Sequence, residues 1–137
     1  MIVDATGLVL GRLASVAAKS LLAGEDVKIV NAEKVIITGG RESIYSDYGR
    51  ARARGSREKG PYFPRRPDMI LKRTIRGMLP YKLRRGRDAM SRLRVYVGVP
   101  RDLAAEPFVQ PEAAKSRHMG RMYVELGELS KRLGANF

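Results

Sequence analysis

Between Arg41 and Arg94 the chain carries 17 Lys and Arg against five acids, Glu42, Asp47, Glu58, Asp68 and Asp88, so this stretch alone holds +12 of the formal +13. The flanks are balanced: residues 1–40 hold four bases and four acids, and residues 95–137 hold six and five. What has to fold is a neutral body with a basic middle. Concentrated positive charge repels itself and weakens a compact state unless a polyanion neutralises it. A phosphate-rich partner is therefore implied. Arg predominates in the block, as at Arg50, Arg52, Arg54 and Arg57, then Arg65 and Arg66, then Arg84, Arg85 and Arg87. Its planar fork grips phosphate oxygens bidentately and also stacks on bases. A solvated basic face, or a surface for acidic lipid, is the alternative that charge by itself leaves.

At 137 residues and 44% apolar composition the chain has enough material for one domain with a real core. It has no Cys, which removes disulfides, thiolate zinc sites and a cysteine nucleophile, and fits a reducing compartment such as the cytoplasm. Asp4 interrupts the first apolar run, and charges break every later one well short of the ~20 residues a bilayer span needs. Neither export nor a membrane partner is expected.

Met1-Ile2-Val3-Asp4 reads as a short strand, and Leu10, Leu13, Ala14, Ala17, Ala18, Leu21 and Leu22 then recur at helical spacing up to Gly24. Val27 to Asn31 is a second strand, completing a right-handed βαβ unit. Val35-Ile36-Ile37-Thr38 is a third β-branched run, separated from Asn31 by Ala32 to Lys34 only. That is too short for a helical crossover and suggests an antiparallel or irregular neighbour, so spacing leaves the sheet topology open. Arg41 to Arg52 forms a weak helix with Ile44, Tyr45 and Tyr48 on one side, weakened by Gly49. Ala53 to Arg66, with its glycines and prolines, is loop. Pro67 opens a helix whose buried face is Ile70 or Leu71, then Ile75, Met78 and Leu79, and Pro80 stops it. Gly86 to Arg92 adds a helical turn or two, Leu93 to Val97 alternates like a strand, and Tyr123 to Leu133 is a short helix closed by Gly134.

Catalytic constellations are sparse. Gly7, Gly11 and Arg12 fall short of a phosphate loop, in which four residues separate the first glycine from Gly-Lys-Ser/Thr. His118 is the single histidine, on a polar loop, so neither a histidine-built zinc site nor a histidine pair is available. Asp4, Glu33, Asp47 and Asp68 have no metal-site spacing and read as caps or ion-pair partners. Among the aromatics of the basic block, Tyr45 and Tyr48 read as core contacts. Tyr62-Phe63, bracketed by Pro61 and Pro64, reads as a platform on which unpaired bases stack.

Ile75-Arg76-Gly77-Met78-Leu79-Pro80, then Gly86, then Leu93-Arg94-Val95-Tyr96-Val97-Gly98 form a long ordered pattern. Asp4-Ala5, Leu10-Gly11-Arg12-Leu13-Ala14-Ser15 and Val30-Asn31-Ala32-Glu33-Lys34 precede it. Together they resemble the family of the thirteenth universal large-subunit ribosomal protein, over about Ile2 to Pro100. Pro80-Tyr81-Lys82 with Arg85-Gly86 is similar to archaeal and eukaryotic members, and the compact length favours an archaeon. The resemblance implies an α/β fold of three layers, α/β/α, around a small, mostly parallel sheet with basic loop and helix extensions. It also implies binding of large-subunit ribosomal RNA during early assembly, neighbouring large-subunit ribosomal proteins as partners, and no enzymatic activity, cofactor or small-molecule substrate.

The organisation expected is one domain over residues 1–137. Residues 1–40 and 93–98 form its core, 41–92 the RNA-binding part and 99–137 a C-terminal extension. The central motif nominates Lys72, Arg73, Arg76, Lys82, Arg84, Arg85, Arg87, Arg92 and Arg94 as RNA contacts. Charge adds Arg50, Arg52, Arg54, Arg57, Lys59, Arg65 and Arg66, and stacking adds Tyr62 and Phe63. An RNA-processing enzyme would need a convergent acid-base or metal site that the inventory does not offer. An architectural DNA-binding protein would need a recognisable helix-turn-helix, zinc finger or heptad seam.

Overall fold

In the computed structural model, which describes residues 1–53, 64–115 and 122–137, the chain runs through β1 (Ile2–Asp4), α1 (Leu10–Leu22) and β2 (Val27–Val30). β1 and β2 are parallel with Val3 opposite Ile29, as the strand-helix-strand spacing predicts. α1 buries Leu10, Leu13, Ala14, Ala17, Ala18 and Leu21. Gly24 follows its end at φ +96°, a conformation glycine takes without strain.

The third β-branched run leaves this sheet. Asn31 sits at φ +58°, a 3-10 turn over Ala32–Lys34 redirects the chain, and β3 (Ile36–Thr38) pairs antiparallel with β5 (Tyr123–Glu125). A link that short cannot return parallel to β2. The place beside β2 goes to β4 (Leu93–Val95), giving the parallel order β1-β2-β4.

That order steps twice in one direction, so right-handed crossovers carry both connections over the same face. The main core lies there. Val3, Val27, Ile29 and Leu93 pack with Leu13 and Leu21 of α1, with Ile44 of α2 (Arg41–Ala53), with Ile70, Leu71 and Ile75 of α3 (Pro67–Gly77), and with Ala89 of α4 (Arg84–Ser91). α5 (Leu126–Arg132) adds Leu126 and Leu129. Gly127 lets α5 come close, because a Cβ there would lie 2.9 Å from the Glu33 carbonyl oxygen. The other face is covered more thinly: Ile2 and Val30 meet Leu103, from the 3-10 turn Arg101–Leu103, and Tyr96. The fold is thus α/β with a small, mostly parallel sheet, and the proline-marked stretch after Gly98 supplies its outer layer.

Three expectations need correction. Met78 is the C-cap of α3 and is 45% exposed, while Leu22, apolar in the α1 pattern, is 47% exposed. The terminal helix starts at Leu126 rather than Tyr123, because Tyr123 to Glu125 are drawn into the ladder with β3. Of the loop expected from Ala53 to Arg66, residues 54–63 lie outside the described residues, as does His118.

The family motif's polar residues stitch the carboxyl ends of the strands together. Asp4 Oδ1 accepts hydrogen bonds from the Thr6 backbone N–H (3.1 Å), the Thr6 hydroxyl (2.7 Å) and the Asn31 side-chain amide (3.0 Å). Glu33 Oε2 accepts from the Gly98 N–H at 2.9 Å. Open α/β sheets usually bind ligands at this edge; here Asp4 and Glu33 are engaged by the chain's own donors. Burial pushes the Asp4 carboxyl up, but the bonds from Asn31 and Thr6, with the charge of Lys34, outweigh it and hold the group below the usual carboxylate value. A depressed folded-state pKa stabilises above the unfolded value of about 4, and that contribution is lost as pH falls through the folded one. The melting temperature is therefore expected to drop below about pH 4, and less steeply in Asp4→Asn. Identical pH profiles for the two proteins would contradict this role.

Candidate nucleic-acid interface

The centre of the basic block is a helix corner built by one apolar and one close-packed surface. Pro67 opens α3 at a position where its missing N–H costs nothing, and Ile70, Leu71 and Ile75 face the core. On the remaining surface Arg73 and Arg76 are exposed and Lys72 is half-buried. After Pro80 the chain turns, with the Leu83 N–H donating to the Pro80 carbonyl at 2.9 Å. α4 then presses on that same carbonyl through Gly86, where an added Cβ would lie 2.0 Å from the Pro80 oxygen. With Gly86 and Ala89 turned inward, Arg84, Arg85 and Arg87 are left on the outside and are all exposed, as is Lys82 in the turn. None of these four has an ion-pair partner among the described residues. Arg76 lies 4.9 Å from the centre of the Tyr81 ring, so its guanidinium is already held in a stacked pose.

The other expected contacts are dispersed. Arg50, on α2, pairs with Asp47 at 3.1 Å, both side chains being exposed, a contact worth about 0–1 kcal/mol and easily exchanged for phosphate. Arg65 and Arg66 are exposed just before α3, with Arg66 Nε 3.4 Å from Asp68. Arg52 belongs to α2, and Arg54, Arg57, Lys59, Tyr62 and Phe63 lie outside the described residues. Tyr45 and Tyr48 pack against the core, and burial followed by the charge of Asp47 pushes the Tyr48 hydroxyl up.

Two motif arginines do not join the corner. Arg92 is half-buried and donates to the Leu21 carbonyl at 2.6 Å, capping the end of α1, where a helix's partial negative charge favours a cation. Arg94 lies between Leu93 and Val95, which pack toward the main core, so strand alternation turns it to the opposite face. There its cross-strand neighbour is Lys28. Lys28 is missing from the sequence-based set, although the alternation Val27-Lys28-Ile29 carries the signal.

The chain matches the family described as Ribosomal protein L13 over residues 1–102, a span that holds α1 to α4 and the whole corner. The large ribosomal subunit protein uL13 of Methanosarcina barkeri is 56% identical, with 99% of each chain covered. The protein of that name from Methanococcoides burtonii is 53% identical with the same coverage. That of Archaeoglobus fulgidus is 50% identical over 97% of this chain and 86% of its own. Among the described residues no group of three His, Asp or Glu stands where it would hold a metal ion, and no helix is long and apolar enough to cross a membrane.

Proposed function

The chain belongs to the ribosomal protein L13 family, in its archaeal form, and from that premise we propose that it binds large-subunit ribosomal RNA and supports early assembly of the large subunit. Membership makes it a ribosomal protein and not an enzyme. Its partners are the RNA and the ribosomal proteins beside it, and its location is the ribosome.

The observation that carries the RNA contact is the outward row of Arg84, Arg85 and Arg87, unpaired among the described residues and backed by the buried Gly86 and Ala89. Such charges add nothing to the scaffold and repel one another until an anion arrives. Their rigid backing also means that little backbone order has to be gained on binding. Arg76, stacked on Tyr81, and Lys82 continue the row through the turn.

The test is sedimentation. A tagged copy expressed in an archaeal cell is expected to travel with the large subunit through a gradient at high salt. Recovery at the top of the gradient, or with the small subunit alone, would overturn the assignment.

A further inference from the structure

Leu22 and Met78, the two apolar side chains that helical spacing assigns to the core but that the fold leaves 47% and 45% exposed, face the same place. With Pro80 they form the apolar walls of a groove of about 550 Å³ between the end of α1 and the α3–α4 corner, within the usual range for ligand pockets. Arg85, Asp88 and Arg92 complete its lining.

Asp88 is out of place electrostatically. It is exposed, it neighbours Arg84, Arg85 and Arg87, and it forms no ion pair among the described residues. A carboxylate there repels the phosphates that its neighbours attract. It becomes favourable where it meets hydrogen-bond donors, and the donors of an RNA base lie on the base edge. Guanine presents N1–H and the exocyclic N2 amine side by side, matching the two carboxylate oxygens, and offers O6 and N7 as acceptors to a guanidinium. Arg92, already bonded to the Leu21 carbonyl, is a fixed wall, whereas Arg85 is exposed and has no partner among the described residues.

We propose that this groove takes one unstacked guanine of the bound RNA. Its ring lies against Leu22, Met78 and Pro80, its donor edge meets Asp88, and Arg85 holds its acceptors or the adjoining phosphate. Single-stranded and bulged RNA is read in this way, by splayed bases packed on side chains and bonded along their edges. An apolar side chain from a neighbouring protein would fit the walls but leave Asp88 and Arg85 unmatched. The inference deepens the RNA-binding function proposed above and rests on it.

The test is chemical probing of archaeal large-subunit ribosomal RNA with kethoxal, which modifies the N1 and N2 positions of unpaired guanine. One guanine reactive in free RNA is expected to be protected by the wild-type protein and exposed again in complexes with Asp88→Ala and with Met78→Ala. Affinity should fall about 5- to 150-fold in Asp88→Ala, the range for losing one bidentate base contact. Arg85→Gln, by contrast, should flatten the salt dependence by about one unit. All three side chains are exposed, and thermal melts check that the variants fold. If wild-type protein binds but every protected guanine stays protected in both variants, the groove holds no guanine and only this inference falls. If wild-type protein does not bind the RNA, the proposed function falls with it.

Discussion

Gly86→Ala is expected to destabilise the protein by about 3 kcal/mol or more, the upper end of the overpacking range. The added Cβ would lie 2.0 Å from the Pro80 carbonyl oxygen and 2.3 Å from its carbon. Both obstacles are backbone, so no change of rotamer relieves the clash. The corner has to open, the Leu83-to-Pro80 hydrogen bond is strained, and the row of arginines on α4 moves with it. Against a total stability of about 5–15 kcal/mol this is a large loss. Gly49→Ala is the control. Nothing lies within 4 Å of a Cβ there, inside α2. Alanine gives up less backbone freedom on folding, so stability should rise by about 0.4–1 kcal/mol. Denaturant or thermal unfolding distinguishes the two signs. A Gly86→Ala protein as stable as wild type would mean that α4 does not press on the Pro80 carbonyl.

The same glycine shows what was legible in the chain. Gly86 stands out in sequence because it interrupts a basic turn after Pro80, and in the fold it is the point where α4 meets the Pro80 carbonyl. α1 was legible because its burial follows a period that sequence displays directly. Where burial ends was not. Leu22 and Met78 continue the apolar pattern of their helices, but each sits at a helix end, beyond the reach of the opposing layer. The antiparallel pairing of β3 with β5 joins residues 85 to 89 positions apart, Ile37 with Val124 and its neighbours, and no local spacing encodes a contact of that kind.

Charge was legible as a sum and less so as a surface. The corner residues Arg84, Arg85 and Arg87 fall together because they share one short helix. Arg92 and Arg94 look equivalent to them in the sequence, yet one caps α1 and the other faces across the sheet with Lys28. Tertiary packing made that division. The motif residues Asp4, Asn31 and Glu33, which identify the family as clearly as any cation, are engaged in joining strand ends.

RNA affinity is expected to fall steeply with salt. If roughly 6–10 of the central cations meet phosphate, counterion release weakens binding about 10³–10⁵-fold between 50 and 200 mM salt, by analogy with duplex DNA. Replacing Arg84, Arg85 and Arg87 together by Gln removes three charges from the corner. The slope should then flatten by up to roughly two to three units. Folding should survive, because exposed substitutions usually change stability by no more than about 0.5 kcal/mol each, and relief of self-repulsion acts in the stabilising direction. The corner is held from beneath by Gly86 and Ala89, which the triple change does not touch.

The measurement that bears most directly on the corner as RNA contact is a titration of wild type and the triple Gln variant against archaeal large-subunit ribosomal RNA across a salt series, with a thermal melt of each protein. The predicted result is a steep wild-type slope, a flatter and weaker variant, and coincident melts. A flat wild-type salt response, or a variant that melts early yet binds with the wild-type slope while folded, would contradict it.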